Sequence, residues 1–123
     1  MTQEVVEKNI HVNGIRLCYF ERGISLRGTG PTLLFLHATG FHARIWDQII
    51  ARLPPCHIIA IDQRGHGRSE KVRINHWQEV VADASQVMQE LELTGVIGIG
   101  HSMGAHALLG ASALHQDRVH SIV

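Results

Sequence analysis

The chain has 123 residues, 45% of them hydrophobic, and its 11 basic residues are balanced by 11 acidic ones. That supplies one soluble domain with a core, and the neutral balance gives no footing to a nucleic-acid partner or an anionic membrane surface. Met1 to Ile10 carries two glutamates and no apolar segment, which argues against a signal peptide, and no apolar run approaches the length of a membrane span.

Val5 to Val12 reads as a strand, and Asn13-Gly14 is a strong two-residue hairpin signal leading into a second strand from Ile15 to about Glu21. Arg22 to Pro31, with Gly23, Gly28 and Gly30, is a loop. Leu33 to Leu36 is a short, wholly apolar run of the kind that forms a strand covered on both faces, and it ends in the turn-like His37-Ala38-Thr39-Gly40-Phe41. The spacing of Ile45, Trp46, Ile49, Ile50 and Leu53 predicts one apolar face of a helix from about His42 to Leu53, stopped by Pro54-Pro55. A further buried strand spans Cys56 to Ile61 and runs into the turn Asp62-Gln63-Arg64-Gly65-His66-Gly67-Arg68-Ser69.

The clearest helical period follows in Trp77, Val80, Val81, Ala84, Val87, Met88 and Leu91, and Asn75 with Gln78 predicts a capping box before it. Gly95 to Gly100 reads as a strand. After it comes a helix whose Gly104, Ala105, Ala107, Gly110, Ala111 and Ala113 would let it lie close on a sheet, and Val119 to Val123 begins another strand. This order predicts an α/β fold: a mostly parallel sheet with flanking helices, opened by an antiparallel hairpin. Cys18 and Cys56 fall in apolar strand contexts and are expected to be reduced core residues of a cytoplasmic protein.

The stretch that organises the chain is Gly100-His101-Ser102-Met103-Gly104, between a strand and a helix. A serine hydroxyl is a poor nucleophile unless it is held exposed, near a base and beside donors for the charge it creates. A sharp strand-to-helix turn exposes it, and only very small residues two before and two after let the backbones approach so closely. Ser102 is therefore the candidate nucleophile, and the Met103 N–H, at the positive end of the new helix, a candidate oxyanion donor. The dinucleotide fingerprint G-x-G-x-x-G fails here, because Met103 stands where its third glycine should fall, and the phosphate-cradling G-x-x-x-x-G-K-[ST] is absent. What remains is a nucleophile elbow or a plain tight turn. Two more glycine-bearing turns, residues 37–41 and 62–69, fall at strand ends where functional groups collect in such sheets.

With these motifs in order, the chain resembles the N-terminal half of an α/β-hydrolase fold protein of the serine-nucleophile branch. The similar residues are Gly30-Pro31, Leu33 to Leu36, His37 to Phe41, Trp46, the Asp-x-Arg-Gly-His-Gly-x-Ser turn at Asp62 to Ser69, and the elbow itself. The resemblance implies a second oxyanion donor in the turn after the first parallel strand, the N–H of Thr39, with Ala38 standing where the family usually has glycine. It implies a small-molecule acyl substrate and no cofactor; Phe41 and Met103, apolar residues at these turns, read equally as the lining of an acyl pocket and as plain packing, and no metal is expected. In the family the acid and the histidine of the triad follow the nucleophile. After Ser102 the only acidic residue is Asp117, and His115 and His120 lie too close to it in sequence to resemble the distant base, so neither role is assigned.

The expectation is therefore a single α/β-hydrolase core domain over residues 1–123, truncated after the nucleophile helix, with an uncovered sheet edge open to self-association. His37 is expected to brace the oxyanion loop, and His66 and Asp62 to organise the turn after their strand. His101 is a poor base because successive side chains diverge. His106, His115 and His120 match no metal-ligand spacing. Two functions follow from this reading. One is a serine hydrolase of a carboxylic ester or related acyl substrate, with carbon–carbon bond hydrolases, amidases and cofactor-free haloperoxidases not excluded. The other is a non-catalytic binding or assembly module of the same fold. Serine at the elbow argues against the epoxide hydrolase and haloalkane dehalogenase branches, whose covalent step uses a carboxylate.

Overall fold

Asn13 and Gly14 both take positive φ, 50° and 78°, so the chain reverses through a turn whose twist matches the strands it joins. Those strands, Val5–Val12 (β1) and Ile15–Arg22 (β2), pair antiparallel along their whole length. The computed structural model describes residues 4–123, so the first three residues of the Met1 to Ile10 stretch, read above as unlike a signal peptide, lie outside the described residues. Four more strands complete one sheet: Thr32–Leu36 (β3), His57–Ile61 (β4), Val96–Gly100 (β5) and Val119–Ile122 (β6). Their order is β1-β2-β4-β3-β5-β6; β2 runs antiparallel to β4, and every pairing beyond that is parallel.

Register places the functional turns. Leu36 is level with Ile61 on one side and with Gly100 on the other, so β3, β4 and β5 finish flush and release residues 37–41, 62–69 and 101–102 at one end of the sheet. Alternation along the strands divides the core. Leu34, Leu36, Ile59 and Ile61 join Leu17 and Tyr19 on one face, and Phe35, Ile58 and Ala60 join Phe20 on the other.

On the first face lie Trp77–Glu90 (α2) and Met103–Leu114 (α3). From α2 it receives Val80, Ala84, Val87 and Met88, and from α3 Met103, Ala107, Leu108 and Ala111. The two helices approach closely, because a Cβ on Gly110 would meet the Val81 side chain at 2.7 Å. The second face has a shorter cover. In place of one helix from His42 to Leu53 there is a 3-10 turn, Ala43–Trp46, followed by Asp47–Ala51 (α1). The tighter start shifts the phase, so Ala43, Trp46, Ile50 and Leu53 face inward while Ile45 and Ile49 are each 51% exposed. Arg22 ties β2 to the end of α1, donating from Nη1 to the Ile50 carbonyl (2.7 Å) and from Nη2 to that of Pro54 (2.7 Å). A cation at a helix C-terminus suits the carbonyls left free there.

The start of α2 also departs from expectation. Its cap residue is His76, and Glu79, not Gln78, folds back: its Oε1 accepts from the N–H groups of Asn75 (2.7 Å) and His76 (3.1 Å). Trp77, expected in the core, is 56% exposed. Arg64 holds this helix to the turn after β4 through two bonds to Asp83, from Nε at 2.8 Å and Nη2 at 3.0 Å, and one to Glu79 at 3.0 Å. At the opposite end of the sheet is a buried polar chain in which Thr32 Oγ1 meets His57 Nδ1 at 2.8 Å and His57 Nε2 meets Glu21 Oε2 at 2.6 Å. Cys18 is buried and unbonded, and burial pushes its thiol up to about 11; Cys56 is half-buried and also free. Among the described residues no helix is long and apolar enough to cross a membrane.

Candidate active site

Ser102 stands between β5 and α3 at φ 54° and ψ −110°, a conformation that L residues rarely adopt. The two glycines of the pattern make it possible. A Cβ on Gly100 would lie 2.7 Å from the Ala105 nitrogen, and one on Gly104 only 2.0 Å from the Leu36 carbonyl oxygen. His101 N–H donates to that same carbonyl at 3.1 Å and fixes the bend to β3. The Ser102 hydroxyl does not cap the helix it begins, and it opens into a depression of about 300 Å³ lined by Thr39, Trp77, Met103 and His106.

The turn after β3 is held from the β4 side. His37 is completely buried; its Nδ1–H donates to the Ala38 carbonyl (2.8 Å) and its Nε2 accepts the Gln63 N–H (3.0 Å). A ring that accepts at one nitrogen and donates at the other is neutral, and burial pushes its pKa below the ordinary value. Gln63 Nε2 adds a bond to the His37 carbonyl at 2.6 Å. His66 does for Gly40 what His37 does for Gln63: its Nε2 accepts the Gly40 N–H at 3.0 Å, and its Nδ1–H donates to the Arg64 carbonyl at 2.9 Å. Asp62 joins two turns, accepting the Ala43 N–H at Oδ1 (2.7 Å) and the Arg68 N–H at Oδ2 (2.8 Å). His37, His66 and Asp62 are thus braces, as expected, and His66 reaches further than its own turn. Ala38 keeps its φ out of the left-handed region, so alanine fits where glycine is usual.

Thr39 and Met103 meet, Thr39 Oγ1 donating to Met103 Sδ at 3.5 Å. Among the described residues neither backbone N–H finds a protein acceptor, although the neighbouring N–H groups of Gly40, Phe41 and Gly104 all do. Ser102, Thr39 and Met103 therefore share one depression with two free donors beside it. Phe41 does not line that depression. The turn closed by its N–H on the Ala38 carbonyl (3.1 Å) sets its ring 6.4 Å from that of His101 instead.

Trp77 and His106 were not anticipated at this place. His106 lies one helical turn after Ser102, a spacing that puts it on the same face of α3 and could have singled it out. Trp77 carried no local signal, because only the packing of α2 against α3 brings its ring to 6.3 Å from His106 at an interplanar angle of 70°. His115 is occupied elsewhere, meeting Ser85 Oγ at 2.7 Å. Among the described residues no group of three His, Cys, Asp or Glu side chains could hold a metal ion. A separate cavity of about 440 Å³ belongs to the α1 face and includes Phe20, Arg22, Ile50 and Ile58; it shares no residue with the Ser102 depression.

Residues 33–123 match the Alpha/beta hydrolase family. A putative non-heme haloperoxidase of Mycobacterium phage D29 is 33% identical over 107 residues, which is 85% of this chain and 38% of the relative. A 2-(acetamidomethylene)succinate hydrolase of Mesorhizobium japonicum is 33% identical over 99 residues, 79% of this chain and 36% of that protein. The crystal structure of an E-2-(acetamidomethylene)succinate hydrolase superposes with a TM-score of 0.81 at 28% identity, covering 97% of this chain and 43% of its own. The chain spans less than half the length of each of these proteins.

Proposed function

The chain belongs to the alpha/beta hydrolase family, and from that premise we propose that it is the nucleophile-bearing core of a serine hydrolase acting on a carboxylic ester or related acyl substrate. In this reading Ser102 Oγ attacks the carbonyl carbon, and the carbonyl oxygen gains the electron pair and takes hydrogen bonds from the N–H groups of Thr39 and Met103. Collapse of that tetrahedral species expels the alcohol and leaves an acyl-serine, which water then hydrolyses to acid and free Ser102. The observation that carries the reading is the strained serine, its hydroxyl without a partner, at a depression flanked by two unused amide donors. Backbone strain of this kind persists only where the surroundings enforce it, and a plain tight turn would not need it. The likeness to a hydrolase supports hydrolysis over a binding role.

The proton of Ser102 needs a base. Among the described residues no histidine or carboxylate hydrogen-bonds this hydroxyl, an arrangement that would also suit a binding or assembly module of the same fold. Triad members act as a unit, so acylation by this chain alone is expected to run at least roughly a thousandfold below that of an enzyme with a complete triad. Labelling with a fluorophosphonate followed by intact-mass and peptide analysis tests the proposal. One adduct on Ser102, absent in Ser102→Ala, supports an activated nucleophile; a fully folded chain still unlabelled after roughly a thousandfold longer exposure than a complete-triad hydrolase needs overturns it in favour of the binding module.

A further inference from the structure

Trp77 is a large aromatic residue left 56% exposed at the first turn of α2, and it lines the nucleophile's depression. Its position is firmly set. The Asn75 and His76 N–H groups beside it are bound by Glu79, Glu79 is bound by Arg64, and the Arg64 carbonyl accepts from His66, whose other nitrogen holds Gly40 of the oxyanion turn. The indole and the Thr39 turn thus hang on the same residue. His106 stands edge-on to the indole, and the His106 N–H is bonded to the Ser102 carbonyl at 3.0 Å, which places His106 in the first turn of the nucleophile helix and the indole of α2 against it. Among the described residues no Lys, Arg, Asp or Glu lines the depression, and its volume of about 300 Å³ holds one small group.

We propose that Trp77, kept edge-on by His106, is the specificity wall of the Ser102 depression and takes a neutral aryl or similarly flat apolar group of the substrate. An exposed indole stacks on such a group with little loss of side-chain freedom, and a wall without formal charge disfavours an ionised one. The inference rests on the serine-hydrolase reading for the identity of the bound molecule, but its test does not depend on turnover.

The probe is 4-nitroacetanilide, an unreactive amide analogue of an aryl ester whose nitrophenyl ring quenches indole fluorescence. The chain has two tryptophans, so a Trp46→Phe background leaves Trp77 as sole reporter. Saturable quenching is expected in that background, and it should persist when Ser102→Ala is added. Equilibrium dialysis should then show affinity falling at least about tenfold in Trp77→Ala and staying within about threefold in Trp77→Phe, with both variants checked for unchanged thermal melting. Purely collisional quenching, or equal affinity in Trp77→Ala, overturns the wall. Quenching without any fluorophosphonate adduct keeps the wall and removes the nucleophile, whereas an adduct without saturable quenching does the reverse.

Discussion

Gly104 passes so close to β3 that a Cβ on it would stand 2.0 Å from the carbonyl oxygen of Leu36. That oxygen cannot give way, because it already accepts the His101 N–H that forms the elbow. The second glycine of the Gly-x-Ser-x-Gly pattern is therefore a packing requirement between α3 and the strand, and the exposed serine is its consequence.

Gly104→Ala should cost about 3 kcal/mol, the upper end of overpacking penalties, because every atom it meets is backbone. Gly98→Ala is the internal comparison. Its Cβ would meet only the ends of the Leu108 side chain, at 2.8 and 3.0 Å, and a rotamer shift should hold the cost near 1 kcal/mol. Urea melts of the two variants give the ranking; equal losses would mean that the contact with Leu36 is not what demands glycine.

What could be read from the sequence is what local chemistry decides. Asn13-Gly14 specifies its own turn, the apolar runs specify buried strands, and the elbow carries both its glycines and its serine within five residues. The failures share a cause in contacts between distant segments. The α1 segment has a helical period, yet its inward stripe runs through Ala43 and Trp46 because the chain enters on a 3-10 turn tied by Asp62. Glu79 displaces Gln78 at the α2 cap because it can bind two N–H groups and Arg64 together. Trp77 reads as core by spacing and becomes part of the site only where α2 and α3 meet. That His66 would hold Gly40 could not be foreseen, because the flush ends of β3 and β4 bring the two turns together.

His37 should give the protein a measurable stability loss on mild acidification. Burial holds its pKa below the ordinary value of 6.5, so the unfolded chain takes up a proton first as pH falls. The stabilisation is fully present above pH 6.5 and is lost from there downward until the lowered folded value is passed. His37→Gln should be less stable at pH 7 by about 1–3 kcal/mol, through imperfect replacement of two buried hydrogen bonds. The gap between wild type and variant should then narrow between pH 6.5 and pH 5; a gap constant with pH would show that the buried ring is not neutral.

Glu21 acts in a lower window. Burial by itself would raise its pKa, but hydrogen bonds from His57 and Lys8 outweigh that and hold the carboxyl below its ordinary value of 4.5. Its contribution is therefore complete above pH 4.5 and disappears as pH falls through the depressed folded value. Glu21→Gln should cost about 2 kcal/mol at neutral pH, the net worth of hydrogen bonds to a buried charge, and approach wild type in stability near pH 3. Denaturant midpoints at several pH values separate this from His37, whose effect is already spent there. Failure of the gap to close in acid would place the ionised form of Glu21 outside the stabilising network.

Ser102 should be a site where function and stability oppose each other. A residue with a Cβ at φ 54° and ψ −110° carries on the order of 1–3 kcal/mol of backbone strain, and glycine there would be free of it. Against that relief stands glycine's extra conformational freedom in the unfolded chain, roughly 0.5–1 kcal/mol. Ser102→Gly should therefore gain about 1 kcal/mol and raise the melting temperature by roughly 4 °C, while losing all fluorophosphonate labelling. Ser102→Ala removes the same hydroxyl but keeps the strain, so it should melt close to wild type. If the two variants melt together, the bend costs the protein nothing, and its geometry follows from the strand–helix junction alone without any tension stored for the nucleophile.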